Sequence, residues 1–193
     1  ENSMGEKNLI AIANQISKEP YIDISVKKKF LNKCNWEKLL SGKKVFQNII
    51  RIKNIPNIEK LPLFKEGKWW IQGISSSLPV YLINKILRKD QSVLDVGAAP
   101  GGKSFQLIDL GYKIKSIEIS KKRLVTFNTN LQRLNLNTET INKDFLNLNI
   151  EEKFDCILID APCSGSGLMQ KKPEMLVVKK DISSLVEKQK KCY

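Results

Sequence analysis

Residues 92–104 read Ser-Val-Leu-Asp-Val-Gly-Ala-Ala-Pro-Gly-Gly-Lys-Ser, and this stretch decides the fold of the chain. A short apolar run ends at Val96 and passes into a turn of small residues. An apolar-periodic segment follows at 105–110, so the order is strand, glycine-rich turn, helix, the first half of a nucleotide-binding βαβ unit. Small residues let a ligand approach the backbone, and free N–H groups at a helix start attract anions. The stretch predicts a ligand site, although structural tight turns use the same residues.

Three downstream segments each predict a strand that ends near an acid. They lie at 115–119, 139–144 and 154–159, and the acids are Glu118, Asp144 and Asp160. Glu118 follows the turn by roughly twenty residues, where the dinucleotide-binding fingerprint has its ribose-binding acid. In open α/β folds, ligands bind at the carboxyl ends of the parallel strands. The sequence therefore predicts one polar site at this edge, although a strand-end acid by itself is usually just solvated.

A second motif identifies the type of enzyme that the chain resembles. It is Asp-Ala-Pro-Cys-Ser-Gly-Ser-Gly at 160–167, and it accompanies Asp-Val-Gly-Ala-Ala-Pro-Gly-Gly-Lys at 95–103. Together they resemble the S-adenosylmethionine-dependent RNA cytosine-C5 methyltransferases, most closely the bacterial Sun/Fmu type that acts on small-subunit ribosomal RNA. The resemblance runs from about residue 63 to residue 174. It implies an α/β fold: a Rossmann-like class I methyltransferase sheet, truncated after about four strands, with a small N-terminal α+β domain.

The resemblance also implies which residues bind S-adenosylmethionine. Glu118 is expected to bind the ribose, Asp144 the adenine amino group, and Asp160 to lie near both the methyl donor and the target base. The backbone of the glycine-rich turn is expected to hold the amino-acid end; its residues are Gly97, Ala98, Ala99, Pro100, Gly101, Gly102 and Lys103.

Methylation at C5 of cytosine requires a thiolate to add to C6, because the intact ring is a poor nucleophile at C5. The resembled family has the attacking cysteine in a later Thr-Cys motif, and its Pro-Cys cysteine helps to resolve the covalent adduct. Here Pro162 and Cys163 match Pro-Cys, with Asp160 beside them, and nothing after Cys163 matches Thr-Cys. We therefore expect the principal nucleophile beyond Tyr193, so that residues 1–193 alone are inactive.

Two alternatives remain open at this point. A DNA cytosine-C5 methyltransferase would use Cys163 itself as the nucleophile, although Ser-Gly-Ser-Gly after it fits the RNA enzymes better. A non-catalytic fragment would keep cofactor and RNA binding without turnover.

The charge of the chain is consistent with an RNA partner. The formal net charge is +13, but nearly all positive charges are lysines, which an AT-rich genome would also favour. The four cysteines have no metal-ligand spacing and histidine is absent, so no metal site is expected. With no membrane segment in the sequence, we expect a cytoplasmic monomer whose partner is RNA, ribosomal RNA in the first place.

Pattern and composition divide the chain into an N-terminal helix and linker (1–20), a small α+β unit (21–66) and a third part (67–193). The resemblance implies that the small unit helps to bind RNA, although a simple packing appendage fits the sequence equally well. It also implies that residues 67–193 are a C-terminally incomplete catalytic domain that binds S-adenosylmethionine. Trp69 and Trp70 are both expected in the core. The resembled family usually has Gln-Asp where this chain has Gln72-Gly73, and the side-chain contact that the family's aspartate makes is therefore missing here.

Pro79 is expected in the first turn of its helix, with serines at 75–77 as caps. Helices are predicted at 8–17, 27–40, 75–89, 121–134 and 181–191, and strands at 21–26, 45–46, 49–52 and 68–73.

Overall fold

The structure is a computed structural model that describes residues 5–53, 55–176 and 181–192. These residues form two four-stranded sheets. The N-terminal part contains helix α1 (Glu6–Ile16), strand β1 (Tyr21–Val26), helix α2 (Trp36–Leu39) and strands β2 (Lys43–Phe46), β3 (Ile49–Lys53) and β4 (Trp69–Ile71). Its sheet is antiparallel, in the order β2-β3-β1-β4. The strands and the first helix predicted for this part are confirmed.

The continuous helix predicted at 27–40 is wrong. The structure has a short 3-10 turn (Lys28–Phe30) and the four-residue α2 instead. The Asn35 side chain accepts a hydrogen bond from the N–H of Lys38 and starts a new helix at that point. Asparagine favours such caps over helix interiors, which explains the break. Trp36 and Leu40 are nevertheless buried, because the short turns still deliver them to the core.

The second sheet is parallel and follows in alternation with helices. Its elements are α3 (Ile74–Ile86), β5 (Ser92–Val96), α4 (Gly102–Leu110), β6 (Lys113–Ile117), α5 (Lys121–Leu134), β7 (Glu139–Ile141), β8 (Cys156–Ile159) and α6 (Ile182–Cys192). The strand order is β7-β6-β5-β8, and each pair is parallel. This is the predicted Rossmann-like sheet, with β5 and its glycine-rich turn at an inner position and the smaller antiparallel sheet before it.

Strand β4 joins the two sheets. It pairs with β1, so the strand predicted to lead into the catalytic domain is an edge strand of the first sheet. Its two tryptophans are both buried, as predicted, but in different cores. Trp69 packs with the first sheet, whereas Trp70 packs with Phe105 of α4 and Phe127 of α5, two helices that accompany the parallel sheet. The proposed division at 66/67 stays a prediction, and the two cores meet at this strand.

The start of α3 differs from the prediction in two ways. Its N-cap is Gly73, without a side-chain hydrogen bond, so the serines at 75–77 are not caps and Pro79 lies beyond the first turn. The carboxylate near this helix start comes from β1: Asp23 accepts the N–H of Ile74 at 3.2 Å. Asp23 also accepts two hydrogen bonds from Arg51, at 2.7 and 2.9 Å. An acid from a distant strand thus binds the amino terminus of α3, where a negative charge is favourable.

Gly67 allows the chain to pass against the end of α5. Its φ is +62°, and a Cβ there would lie 1.9 Å from the backbone oxygen of Arg133. Arg133 in turn donates to the carbonyls of Phe64 and Trp69, at 2.8 and 3.1 Å. The carboxyl end of α5 is therefore held against the segment before β4.

Replacing Gly67 with alanine should destabilise the protein more than the same change at Gly111. Gly111 has φ +97° but nothing within 4 Å of a Cβ, so only backbone strain of about 1–3 kcal/mol applies there. At Gly67 the clash adds about 1–3 kcal/mol. Urea unfolding of both variants measures the difference. Equal losses would show that α5 does not pack this closely.

Candidate functional site

The glycine-rich turn after β5 is fixed by the end of β6. The N–H groups of Gly97 and Ala98 both donate to the carbonyl of Ile117, at 2.9 and 3.0 Å. Gly97 and Gly101 have φ values of +79° and +115°, which only glycine adopts readily, and Gly101 is the N-cap of α4. Part of the turn predicted to bind a ligand is therefore occupied by the sheet itself. The N–H groups in the first turn of α4 have no acceptor within the helix, so they are the part of the turn that can bind a ligand.

Glu118 lies directly beyond β6 and closes the turn from behind. Its side chain is only 1% exposed. One carboxylate oxygen accepts the N–H of Ala99 at 3.2 Å and the other accepts the N–H of Ser120 at 2.8 Å. Arg123, which the sequence did not single out, approaches the same carboxylate at 3.4 Å and donates to the carbonyl of Ala99. Glu118 therefore lies beside the turn with both carboxylate oxygens hydrogen-bonded to backbone N–H groups, and its role in ribose binding stays a prediction.

Asp144 lies three residues beyond β7, because the strand predicted over 139–144 ends at Ile141 and Asp144 caps a short 3-10 turn. Its side chain accepts the N–H of Leu146 at 3.0 Å. The amide of Asn142 donates to the carbonyls of Glu118 and Ile119, at 2.7 and 3.1 Å, and so ties the ends of β6 and β7 together.

Asp160 and Lys103 connect the loops after β8 and β5. Their side chains form an ion pair of 2.6 Å. The backbone fixes the same geometry, since a Cβ on Gly97 would lie 2.6 Å from the carbonyl oxygen of Asp160. A cavity of about 210 Å³ opens between these loops, and its lining includes Asp95, Gln72 and Ser76 as well as both charged residues. The glycine-rich turn contributes Gly97, Ala98, Ala99, Pro100 and Gly102.

Asp95 is a second site residue that the sequence analysis does not single out, besides Arg123. It is 1% exposed, accepts a hydrogen bond from the hydroxyl of Ser104, and has a second oxygen without a partner among the described residues. Burial raises the pKa of Asp95 to about 6, against a lowering by Ser104 and Lys103. An acid inside an apolar strand could have signalled this site, because a buried carboxylate is costly unless something binds it.

The Pro-Cys loop lies outside the lining of this cavity. Cys163 is exposed, and the carbonyl of Pro162 accepts a hydrogen bond of 2.8 Å from Gln189 in α6. Cys156 is half-buried and packs against the core cluster that contains Val80 and Leu107. Burial raises the pKa of its thiol.

Two negative observations apply to the part of the chain described by the structure. None of its helices combines the length and apolar character needed to cross a membrane. Within the same residues, no three acidic or cysteine side chains are grouped so that they could bind a metal ion.

Comparison with known proteins points to one family. The sequence profile of the 16S rRNA methyltransferase RsmB/F family matches residues 83–193. Ribosomal RNA small subunit methyltransferase B of Shewanella oneidensis is 36% identical over 141 residues, which are 69% of this chain and 32% of that protein. The chain therefore spans about a third of the length of this curated relative.

Solved structures agree with this match. A methyltransferase homolog protein from Pyrococcus horikoshii has a TM-score of 0.69 at 26% identity, covering 95% of this chain and 64% of its own. NSun6 from the same organism, solved with SFG, has a TM-score of 0.62 at 28% identity. The match covers 71% of this chain and 36% of NSun6.

The ionisation of Asp95 should make stability depend on pH. Because the folded-state pKa, about 6, exceeds the unfolded value of about 3.9, the folded state binds the proton more tightly and gains stability as pH falls from about 7 to 4. Asp95→Asn should remove this dependence and stabilise the protein by up to about 3 kcal/mol at pH 8. Urea unfolding across pH measures it, with exposed Asp90→Asn as the control. If the unfolding free energies of the wild type and Asp95→Asn differ by the same amount at every pH, the raised pKa of Asp95 is contradicted.

Proposed function

Because the chain belongs to the 16S rRNA methyltransferase RsmB/F family, we propose that it is the cofactor-binding part of an enzyme that transfers a methyl group from S-adenosylmethionine to C5 of cytosine in RNA. We propose small-subunit ribosomal RNA as the substrate, in keeping with the name of the Shewanella relative. The observation that carries the proposal is the set of carboxylates around the turn after β5, where one oxygen of Asp95 has no hydrogen-bond partner among the residues that the structure describes.

The chemistry of these residues fits the cofactor. An unpaired, buried carboxylate oxygen suits a cationic ligand group such as the ammonium of an amino acid. The first N–H groups of α4, at Gly101, Gly102 and Lys103, suit a carboxylate. Glu118 would accept from the ribose hydroxyls and Asp144 from the adenine amino group. These contacts would hold the ligand along the carboxyl ends of β5, β6 and β7.

S-adenosylmethionine, when bound, supplies an electrophilic methyl group on sulfur. Asp160 would lie near this group and the target base, oriented by its ion pair with Lys103. The attacking thiolate would add to C6 of the cytosine, and C5 would then bond to the methyl group as the methyl–sulfur bond breaks. Transfer of the C5 proton to a general base would let the C6–sulfur bond break and release the thiolate. We assign the attack to a cysteine outside residues 1–193 and the release step to Cys163, which is exposed beside Pro162. On this assignment residues 1–193 bind the cofactor but transfer no methyl group.

Replacing Glu118 with alanine should weaken S-adenosylmethionine binding by about 1–3 kcal/mol, because the ribose hydroxyls lose their acceptor and the turn loses its bond to Ala99. Isothermal titration calorimetry measures the affinity. The control is Glu151→Ala, which removes an exposed carboxylate elsewhere. Equal affinities for the wild type and Glu118→Ala would remove Glu118 from the site.

In the full-length enzyme, Cys163→Ala should allow addition to C6 but hinder release. A covalent protein–RNA adduct should then accumulate and appear as a slow band on a denaturing gel, whereas Cys34→Ala, at another exposed cysteine, should behave like the wild type.

The opposite result has a clear meaning. If Cys163 were the attacking thiol, as in a DNA-type enzyme, Cys163→Ala would form no adduct even with an RNA containing 5-fluorocytosine. An adduct-free variant that still binds S-adenosylmethionine would refute the two-cysteine assignment.

A further inference from the structure

Cations converge where the first sheet meets the carboxyl end of α5. Lys27, directly after β1, is only 2% exposed, and its ammonium donates to the carbonyl of Leu134. Its backbone N–H donates to the carbonyl of Lys68 at 3.0 Å, which brings the segment before β4 alongside. Lys28 and Lys29 follow in the 3-10 turn and are exposed. A buried lysine is thus surrounded by three other lysines from two segments.

Aromatic packing holds two of these lysines in place. The ammonium of Lys68 lies 4.0 Å from the ring centroid of Phe30, and that of Lys29 lies 5.2 Å from the same centroid. Such contacts favour a fixed cation over the ring face. Both charges are therefore held near Lys27 before any ligand arrives.

The positive charge here is poorly balanced. Burial lowers the pKa of Lys27, and the charges of Lys29, Lys68 and Arg133 lower it further, while Asp109 opposes them. Asp109 already accepts the N–H of Lys28 at 2.7 Å. Crowding like charges is unfavourable, and a bound anion would relieve it.

A surface cavity of about 460 Å³ opens at this cluster. Its lining comprises Lys27, Lys28, Lys29 and Asp109, with Ile108, Asn135 and Leu136, and we call it the lysine cavity. Its residues are distinct from those around Asp95, Lys103 and Asp160. The cavity is large enough for a phosphate group, and lysines supply the point charges that such groups attract.

We propose that the lysine cavity binds a backbone phosphate of the RNA substrate, away from the cofactor site. The proposal rests on the RNA substrate of the proposed function, and the net charge of +13 is consistent with it. Phosphate contacts orient a nucleic acid on a protein without reading its sequence. The lysine cavity would therefore help to place the RNA and would not select the cytosine.

The test compares two double variants of the full-length protein. Lys28→Gln with Lys29→Gln removes two exposed charges of the lysine cavity and leaves buried Lys27 intact, so that folding is preserved. Lys85→Gln with Lys89→Gln removes the same charge from exposed positions at the end of α3 and after it. Fluorescence anisotropy with a labelled single-stranded RNA, over a series of salt concentrations, gives the affinity and its salt dependence.

The lysine-cavity variant should lose about fivefold or more in RNA affinity at 0.1 M salt, and its log–log salt slope should shrink by about 0.7 for each lost phosphate contact. The control variant should change much less, and the S-adenosylmethionine affinity should be the same in all three proteins.

Other outcomes would overturn the proposal. Equal losses in both variants would indicate a general charge effect, and no loss would exclude the lysine cavity. Binding of inorganic phosphate that is lost in the variant while RNA affinity is unchanged would assign the cavity to free phosphate. If the wild type binds no RNA, the proposed function fails as well, whereas unchanged RNA binding by the variant rejects the lysine cavity alone.

Discussion

The candidate site depends on the bonds between the turn after β5 and the end of β6. The carbonyl of Ile117 accepts the N–H groups of Gly97 and Ala98, and the carboxylate of Glu118 accepts the N–H of Ala99. Because these bonds fix the turn, the first residues of α4 and the ion pair between Lys103 and Asp160 are fixed too. The same carboxylate that would bind the ribose therefore also holds the backbone that would bind the amino-acid end.

The strands and most helices could be predicted because their apolar patterns are local. The helix at 121–134 follows its period, and β5 follows from its apolar run before glycine. Apart from the break that Asn35 introduces in the helix predicted at 27–40, the features that were missed depend on contacts distant in sequence. Strand β4 pairs with β1, and the start of α3 is bound by Asp23. No local pattern specifies either contact, just as none specifies that Arg123 reaches back to the turn.

Asp95 shows why the site itself was only partly predictable. The motif identified the turn, but the strand before it was treated as apolar, and its acid was not recognised as a site residue. That carboxylate is buried, one of its oxygens has no partner within the described part of the chain, and burial raises its pKa to about 6. A buried carboxylate such as Asp95 destabilises the folded protein at neutral pH. Such locally unfavourable groups are typical of functional sites, where a ligand can interact with them.

The central claim is that the carboxyl edge of the parallel sheet binds S-adenosylmethionine and not another nucleotide cofactor. Calorimetric titration of the wild-type protein with S-adenosylmethionine, and separately with NADH, tests it most directly. The account predicts one S-adenosylmethionine bound per chain and no heat of binding from NADH. Binding of NADH, with none of S-adenosylmethionine, would contradict it.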